Sequence, residues 1–176
     1  MYQGIIVAGF GGQGVVSMGI LLAYAGMVDG KHVTFFPAYG AEMRGGTANC
    51  SVIVAIDEIA SPVVGQPDSV VVMNEPSFAK FEPMIKPNGR LFINTSLVSS
   101  RSKRDDIEVI EIPANKIAEE IGTLKIANMV MAGSLVDKTG MMAQKSLIDS
   151  VGKVYSRAKP EILKMNEVAI KRGAES

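Results

Sequence analysis

The sequence predicts an α/β fold: a three-layer Rossmann-like domain with a mostly parallel sheet and a helical C-terminal third. Three observations carry this. Short apolar runs of strand length alternate with a helix-length segment and turn signals as far as Ile112. A glycine turn, Gly9–Gly14, joins the first apolar run to the first helical one, as in a strand–turn–helix unit. From Asn115 onward the pattern becomes helical.

Taken in order, Ile5–Ala8 reads as a short buried strand and Val15–Val28 as a helix that is apolar almost all round. Ser17, Gly19 and Gly26 keep that helix slim enough to pack closely on a sheet. Asp29-Gly30-Lys31 closes it with a glycine and leads into a second strand, His32–Phe36. Pro37–Gly46 has no period and reads as a long loop. Thr47–Ile56, Val70–Met73 and Leu91–Asn94 follow as strands. Ser77–Ile85 is a short helix ended by Pro87-Asn88-Gly89. The mixed charges of Arg101–Asp106 form a solvated turn before the strand Val109–Ile112. Helices are then expected at Lys116–Ile121, Ile126–Lys138, Gln144–Arg157 and Pro160–Arg172, the last opening on a first-turn proline. With no repeat, low-complexity tract or linker, residues 1–176 are expected to form one domain.

Composition excludes several chemistries. Lys+Arg and Asp+Glu each number 18, so the zero net charge argues against a general binder of nucleic acid or anionic membrane. Cys50 and His32 are each the only residue of their kind. An internal disulfide, a Cys-ligated zinc or iron–sulfur centre and a multi-histidine metal site are therefore ruled out within the chain. Any metal-based redox step belongs to a partner. A lone thiol suits a reducing cytosol, and a cytoplasmic location is expected. Cys50 is expected to be buried and inert on its strand, and Met129, Met131, Met141 and Met142 to fill core and interface. No charged side chain precedes Asp29, yet there is no basic n-region, since the first basic residue is Lys31. Gly9, Gly11, Gly12 and Gly14 interrupt the apolar run and would each destabilise a spanning helix by ~1 kcal/mol. Neither an export signal nor a membrane span is expected.

Gly9-x-Gly11-x-x-Gly14 matches the dinucleotide-binding fingerprint, in which glycine backbone approaches an anion at a helix N-terminus. With 18 glycines in 176 residues a blind match arises ~0.2 times, so the pattern alone decides little. The second strand ends on Thr34, Phe35, Phe36 and Pro37, with no acidic residue for a ribose, and no Gly-Lys-Ser/Thr follows the loop. Conventional NAD and ATP sites are disfavoured. The plain alternative is glycines that merely allow tight helix–sheet packing. More informative is Tyr39-Gly-Ala-Glu42-Met-Arg44-Gly45-Gly46. Arg44 offers a fork of donors suited to carboxylate or phosphate, and Glu42 can hold it. Following the second strand of a parallel sheet, this loop shares an edge with Gly9–Gly14.

Together, Gly-x-Gly-Gly-Gln-Gly, the alanine-bearing helix and Pro-x-Tyr-Gly-x-Glu-x-Arg-Gly-Gly resemble the opening of the gamma subunit (gamma domain) of the 2-oxoacid:ferredoxin oxidoreductases. That group comprises the pyruvate, 2-oxoglutarate, 2-oxoisovalerate and indolepyruvate enzymes. Asn128-Met-Val-Met-Ala-Gly133 and Asn166 resemble later family features, so the similarity runs over nearly the whole chain. The resemblance implies a non-redox subunit of a complex that oxidatively decarboxylates a 2-oxo acid to acyl-coenzyme A, typical of anaerobic metabolism. It implies alpha, beta and small ferredoxin-like delta partners that hold thiamine diphosphate, magnesium and the iron–sulfur clusters, with ferredoxin as acceptor. No cofactor is held by this chain alone, and no catalytic residue or metal ligand is assigned to it. Its candidate binding residues, near coenzyme A, are Gly11, Gly12, Gln13, Gly14, Tyr39, Glu42, Arg44, Gly45 and Gly46. The same loops can instead form a buried subunit interface. The alternative function is a stand-alone nucleotide- or coenzyme-A-binding regulatory module. The isolated chain can homo-oligomerise through surfaces meant for partners. The identity of the 2-oxo acid stays open, with length and separate-subunit architecture leaning toward 2-oxoglutarate or 2-oxoisovalerate.

Overall fold

The apolar run Ile5–Ala8 becomes the buried middle of β1 (Tyr2–Phe10), a strand flanked on both sides and covered on both faces. Such a strand carries a continuous apolar stretch rather than an alternating one. The computed structural model describes residues 1–38 and 47–176. Among the described residues six strands form one sheet in the order β2-β3-β1-β4-β5-β6. The other strands are β2 (His32–Ala38), β3 (Thr47–Ala55), β4 (Ser69–Val72), β5 (Arg90–Asn94) and β6 (Glu108–Ile112). β1, β4, β5 and β6 are parallel neighbours, whereas β3 runs antiparallel to both β1 and β2. The stretch between Ala38 and Thr47 is shorter than the dozen or so residues a crossover needs, so β3 must return antiparallel. The sheet is thus mostly parallel, with β3 as the exception.

The helices are α1 (Val15–Val28), α2 (Glu75–Phe81), α3 (Ala114–Ile121), α4 (Ala127–Thr139), α5 (Gln144–Val154) and α6 (Pro160–Ala174). Boundaries differ from the sequence expectation for local reasons. α2 begins at Glu75 rather than Ser77 because Asn74 Oδ1 accepts the Ser77 N–H at 2.9 Å. It tightens into a 3-10 turn at Glu82–Met84, where Pro83 has no N–H to continue the helix. α5 stops at Val154, and the turn closed by Ala158 N–H to Tyr155 O brings the chain round to Pro160. No helix of the described residues is long and apolar enough to cross a membrane. The uncharged N-terminal run is instead a strand, a turn and a 14-residue helix.

The layers are uneven. On one face Ile5, Val7, Val52, Val71, Phe92 and Ile112 pack with residues of α1 and α3 to α6. On the other, Ile6, Ala8, Val70, Val72, Leu91 and Ile93 pack with Phe78 and Phe81 of α2 and with Ile85 and Val98, and the partly buried Val64, Met84 and Ile107 lie against them. Met129, Met131, Met141 and Met142 are core residues. The small residues of α1 act as expected: a Cβ on Gly19 would lie 2.8 Å from Phe35 Cε2, and one on Gly26 2.7 Å from Val33 Cγ1. α4 and α6 cross more closely still. A Cβ on Gly133 would fall 2.7 Å from the Ile170 carbonyl carbon, and one on Gly173 2.7 Å from that of Val130. Asp29, just past α1, accepts Ser146 Oγ–H at 2.6 Å and the Ala143 N–H at 3.2 Å. The Ser146 hydroxyl chiefly holds its carboxyl below the usual range.

The charge run 101–106 is more than a solvated turn. Arg104 donates to the carbonyls of Glu82 (3.0 Å) and Ile85 (2.8 Å) and pairs with Asp106 at 2.6 Å, tying the loop to the end of α2. Glu75 performs a similar task, accepting from the Ser99 hydroxyl at 2.7 Å and from the Ser100 N–H at 3.0 Å. Hydrogen bonds from Ser100 and Ser99 hold its carboxyl at about 2, down from the ordinary 4.5. A carboxylate depressed by folding stabilises fully above its unfolded pKa, and that contribution disappears as pH falls through the folded one. Wild-type stability should therefore carry a component lost between about pH 4.5 and pH 2 that Glu75→Gln lacks. Acid titrations of thermal unfolding for the two proteins check this; parallel curves across that window would refute it.

Candidate functional site

At the carboxyl end of β1 the chain makes the Gly9–Gly14 turn, and its shape is fixed by one side chain. Gln13 Oε1 accepts the Phe10 N–H at 2.6 Å, and Gln13 Nε2 donates to Met73 O at 3.0 Å, so the amide stitches the turn to the end of β4. Gln13, nominated as a ligand residue, thus has both ends of its amide engaged inside the protein. Gly12 (φ 95°) and Gly14 (φ 74°) hold left-handed backbone that glycine adopts without penalty. Space above Gly12 is open, whereas a Cβ on Gly14 would lie 2.8 Å from Asn128 Cγ. Asn128 Nδ2 donates to Gly14 O at 3.0 Å, tying α4 to the turn.

Gly14 is also the N-cap of α1, with no side-chain cap and no acidic residue in the first turn. Gly11 and Gly12 are exposed. The positive end of a 14-residue helix therefore faces outward beside bare backbone, an arrangement suited to an anion. A cavity of about 270 Å³ lies on the turn itself, lined by Phe10, Gly11, Gly12, Gly14, Val15 and Ala48, and two more flank it. One, of about 210 Å³, is lined by Gly12, Gln13, Met73, Asn115 and Lys125; the other, of about 190 Å³, by Gly14, Ser17, Lys125, Asn128, Tyr155 and Asn166. Both open at the carboxyl edge of the parallel strands, where α/β sheets bind ligands. Lys125, exposed on the turn before α4, lines both.

Tyr39, Glu42, Arg44, Gly45 and Gly46 lie outside the described residues. Their flanks bear on the sequence argument. Ala38 and Ala8 are both level with Asn49, and Thr47 pairs with Phe10, so this stretch leaves and rejoins the sheet at the edge of the glycine turn. Lys125 and Asn115 were not singled out from sequence. Neither sits in a motif, and only the fold brings them to the turn.

Cys50 is buried, its Sγ 3.5 Å from Val15 O, and burial pushes the thiol up to about 12. It is an inert core thiol rather than a cluster ligand, as its strand position suggested. Among the described residues no three of His, Cys, Asp and Glu gather where they could hold a metal.

Comparison with known proteins identifies the family. The family described as pyruvate ferredoxin/flavodoxin oxidoreductase matches residues 4–176. The chain is 37% identical over 171 residues to ketoisovalerate oxidoreductase subunit VorA of Methanothermobacter marburgensis, covering 96% of this chain and 35% of that one. It thus spans about a third of that relative's length. It is 34% identical over 158 residues to 2-oxoglutarate synthase subunit KorC of the same organism, covering 86% of this chain and 85% of that one. In structure it overlays the gamma subunit of a keto/oxoacid ferredoxin oxidoreductase from Geobacter sulfurreducens with a TM-score of 0.85 at 26% identity, covering 98% and 96% of the two chains. The resemblance read from the paired glycine motifs therefore holds: the chain belongs to the pyruvate ferredoxin/flavodoxin oxidoreductase family.

Proposed function

We propose that this chain is the gamma subunit of a cytoplasmic 2-oxoacid:ferredoxin oxidoreductase complex, which oxidatively decarboxylates a 2-oxo acid to acyl-coenzyme A. The observation that carries this is the nearly end-to-end correspondence with a 2-oxoglutarate synthase subunit of similar length. Residues 1–176 act as one domain without a redox centre. A cluster does not fit a chain whose single cysteine is buried and protonated. Thiamine diphosphate with its magnesium and the iron–sulfur clusters then reside on alpha, beta and delta partners, and ferredoxin accepts the electrons. This subunit packs near the active site and contributes to holding coenzyme A. The uncapped start of α1, the exposed glycines and Lys125 fit a phosphate-bearing ligand.

Co-expression with the partner subunits, followed by assay against a panel of 2-oxo acids with coenzyme A and a viologen acceptor, tests the assignment. Activity should need this chain, and no turnover with any 2-oxo acid would sink it. In the assembled enzyme, Arg44→Ala and Gly12→Val are expected to raise the coenzyme A KM about tenfold, the factor that ~1.4 kcal/mol of lost binding gives. An unchanged KM combined with failed assembly would instead assign these loops to a subunit interface.

A further inference from the structure

One side of the molecule is left bare on two layers. Among the described residues β2 closes the sheet and nothing pairs with its outer edge, which makes it a template for another strand. α1, which rests on β3 and β2, carries no charged residue from Val15 to Val28. Yet Ile20 (41%), Tyr24 (37%), Met27 (61%) and Val28 (54%) stand exposed to solvent. A helix that is apolar all round is normally covered all round. Gly19 and Gly26 sit against Phe35 and Val33 of β2. Turning from these glycines away from the buried Val15 and Leu22, at ~100° per residue, the helix presents Val16, Met27 and Ile20. The opposite flank, with Met18, Leu21 and Ala25, is fully buried, and α4 and α5 are the other neighbours of α1. The bare flank and the bare strand edge therefore belong to the same side.

We propose that a second copy of the chain docks on this side across a two-fold axis, with β2 paired antiparallel to its own counterpart about Thr34 and the two α1 flanks packed together. Pro37 selects both the occupant and the register. Its nitrogen has no hydrogen to give, and a sheet tolerates proline where that position faces outward from an edge strand. Alternation along the strand then points the N–H and C=O of Val33 and Phe35 outward as well. With Thr34 on the axis, Val33 and Phe35 exchange hydrogen bonds with Phe35 and Val33 of the other copy, and Pro37 falls beyond the paired stretch. A foreign strand laid along the whole of β2 would lose a bond at Pro37. An axis normal to the sheet also keeps both α1 helices on the same face, side by side. A two-fold sets each group against its own kind, so a charged flank would repel itself. This flank has no charge, and Asp29 and Lys31, just past its end, pair with each other at 3.7 Å. None of these groups belongs to the glycine turn, so the pairing stands apart from the oxidoreductase assignment.

Light scattering on the full chain should give twice 18.7 kDa, and Met27→Glu should weaken the dimer at least tenfold. Met27 is exposed, so the variant should keep the fold, which circular dichroism checks; Ile20→Glu serves as a second variant. Thr34→Cys reads the register directly. Across the axis its Cα atoms would lie ~4.5 Å apart, within disulfide reach, so oxidation should cross-link the two copies. Phe36→Cys would place them roughly 14 Å apart and should not cross-link. Cys50 is buried and stays out of the reaction. Cross-linking at Thr34→Cys, in the chain alone or in the co-expressed complex, together with loss of the pairing in Met27→Glu, supports the proposal. A chain that stays monomeric and a complex that does not cross-link at Thr34→Cys overturn it. So does a dimer that tolerates Met27→Glu or cross-links at Phe36→Cys instead. If Met27→Glu sheds a partner subunit while Thr34→Cys fails to cross-link, the flank belongs to that subunit and the two-fold pairing fails. A complex that cross-links at Thr34→Cys but turns over no 2-oxo acid leaves the pairing standing and the oxidoreductase reading fallen.

Discussion

Gly133→Ala is expected to destabilise the protein by about 3 kcal/mol or more, the upper end of what overpacking costs. Alanine normally improves a helix interior by ~1 kcal/mol over glycine, so the sign at this position is reversed. The reason is the α4–α6 crossing, where the added methyl would lie 2.7 Å from the carbonyl carbon of Ile170. That obstacle is main chain of another helix, which cannot rotate aside as a side-chain tip can. Gly173→Ala meets Val130 in the same way and should behave alike. Gly152→Ala supplies the control. It sits on an exposed face of α5 with nothing within 4 Å of the new Cβ, and should gain about 0.5–1 kcal/mol. Urea unfolding of the three variants measures both signs. A neutral Gly133→Ala would show that the two helices can separate at little cost.

The second large effect is expected at Gly14→Ala, about 2–3 kcal/mol. Left-handed backbone costs an alanine ~1–2 kcal/mol, and the methyl overlaps the Asn128 side chain as well. The two contributions separate in a double-mutant cycle. Asn128→Ala removes the overlap, so in that background Gly14→Ala should cost only the backbone share, leaving a coupling of about 1 kcal/mol. Strict additivity would mean that the side chain of Asn128 yields freely, and that its bond to Gly14 O does not hold the turn.

Much of the fold could be read in the residues because local and global preferences agree. Ile5–Ala8 has no polar alternation and can only be a central strand, and the slim residues of α1 anticipated its close seat on Phe35 and Val33. Boundaries moved where a single residue intervened, as with the Asn74 cap and Pro83. The direction of β3 followed from connection length rather than from any strand pattern. The α4–α6 crossing escaped notice, because Gly133 and Gly173 are 40 positions apart and a glycine in a helix carries no sign of its partner. For the site, the motif glycines located the turn, yet the role of Gln13 as a stitch was hidden, since both its partners are main-chain atoms. Lys125 and Tyr155 lie in segments without a motif, and only tertiary packing delivers them to the turn.

α1 is fastened at both ends by groups made much later. Its start is held by Asn128, 114 positions beyond Gly14, and its end by Ser146, 117 positions beyond Asp29. On a ribosome adding ~5–20 residues per second, roughly 6–23 s pass between the emergence of the helix and that of its fasteners. During that interval the first half of the chain has its sheet hairpin but neither tether, and the apolar face of α1 must wait uncovered for α4 and α5. A chain cut before Ala127 would leave that waiting state permanent, which makes the C-terminal third the step that finishes the glycine turn in time as well as in space.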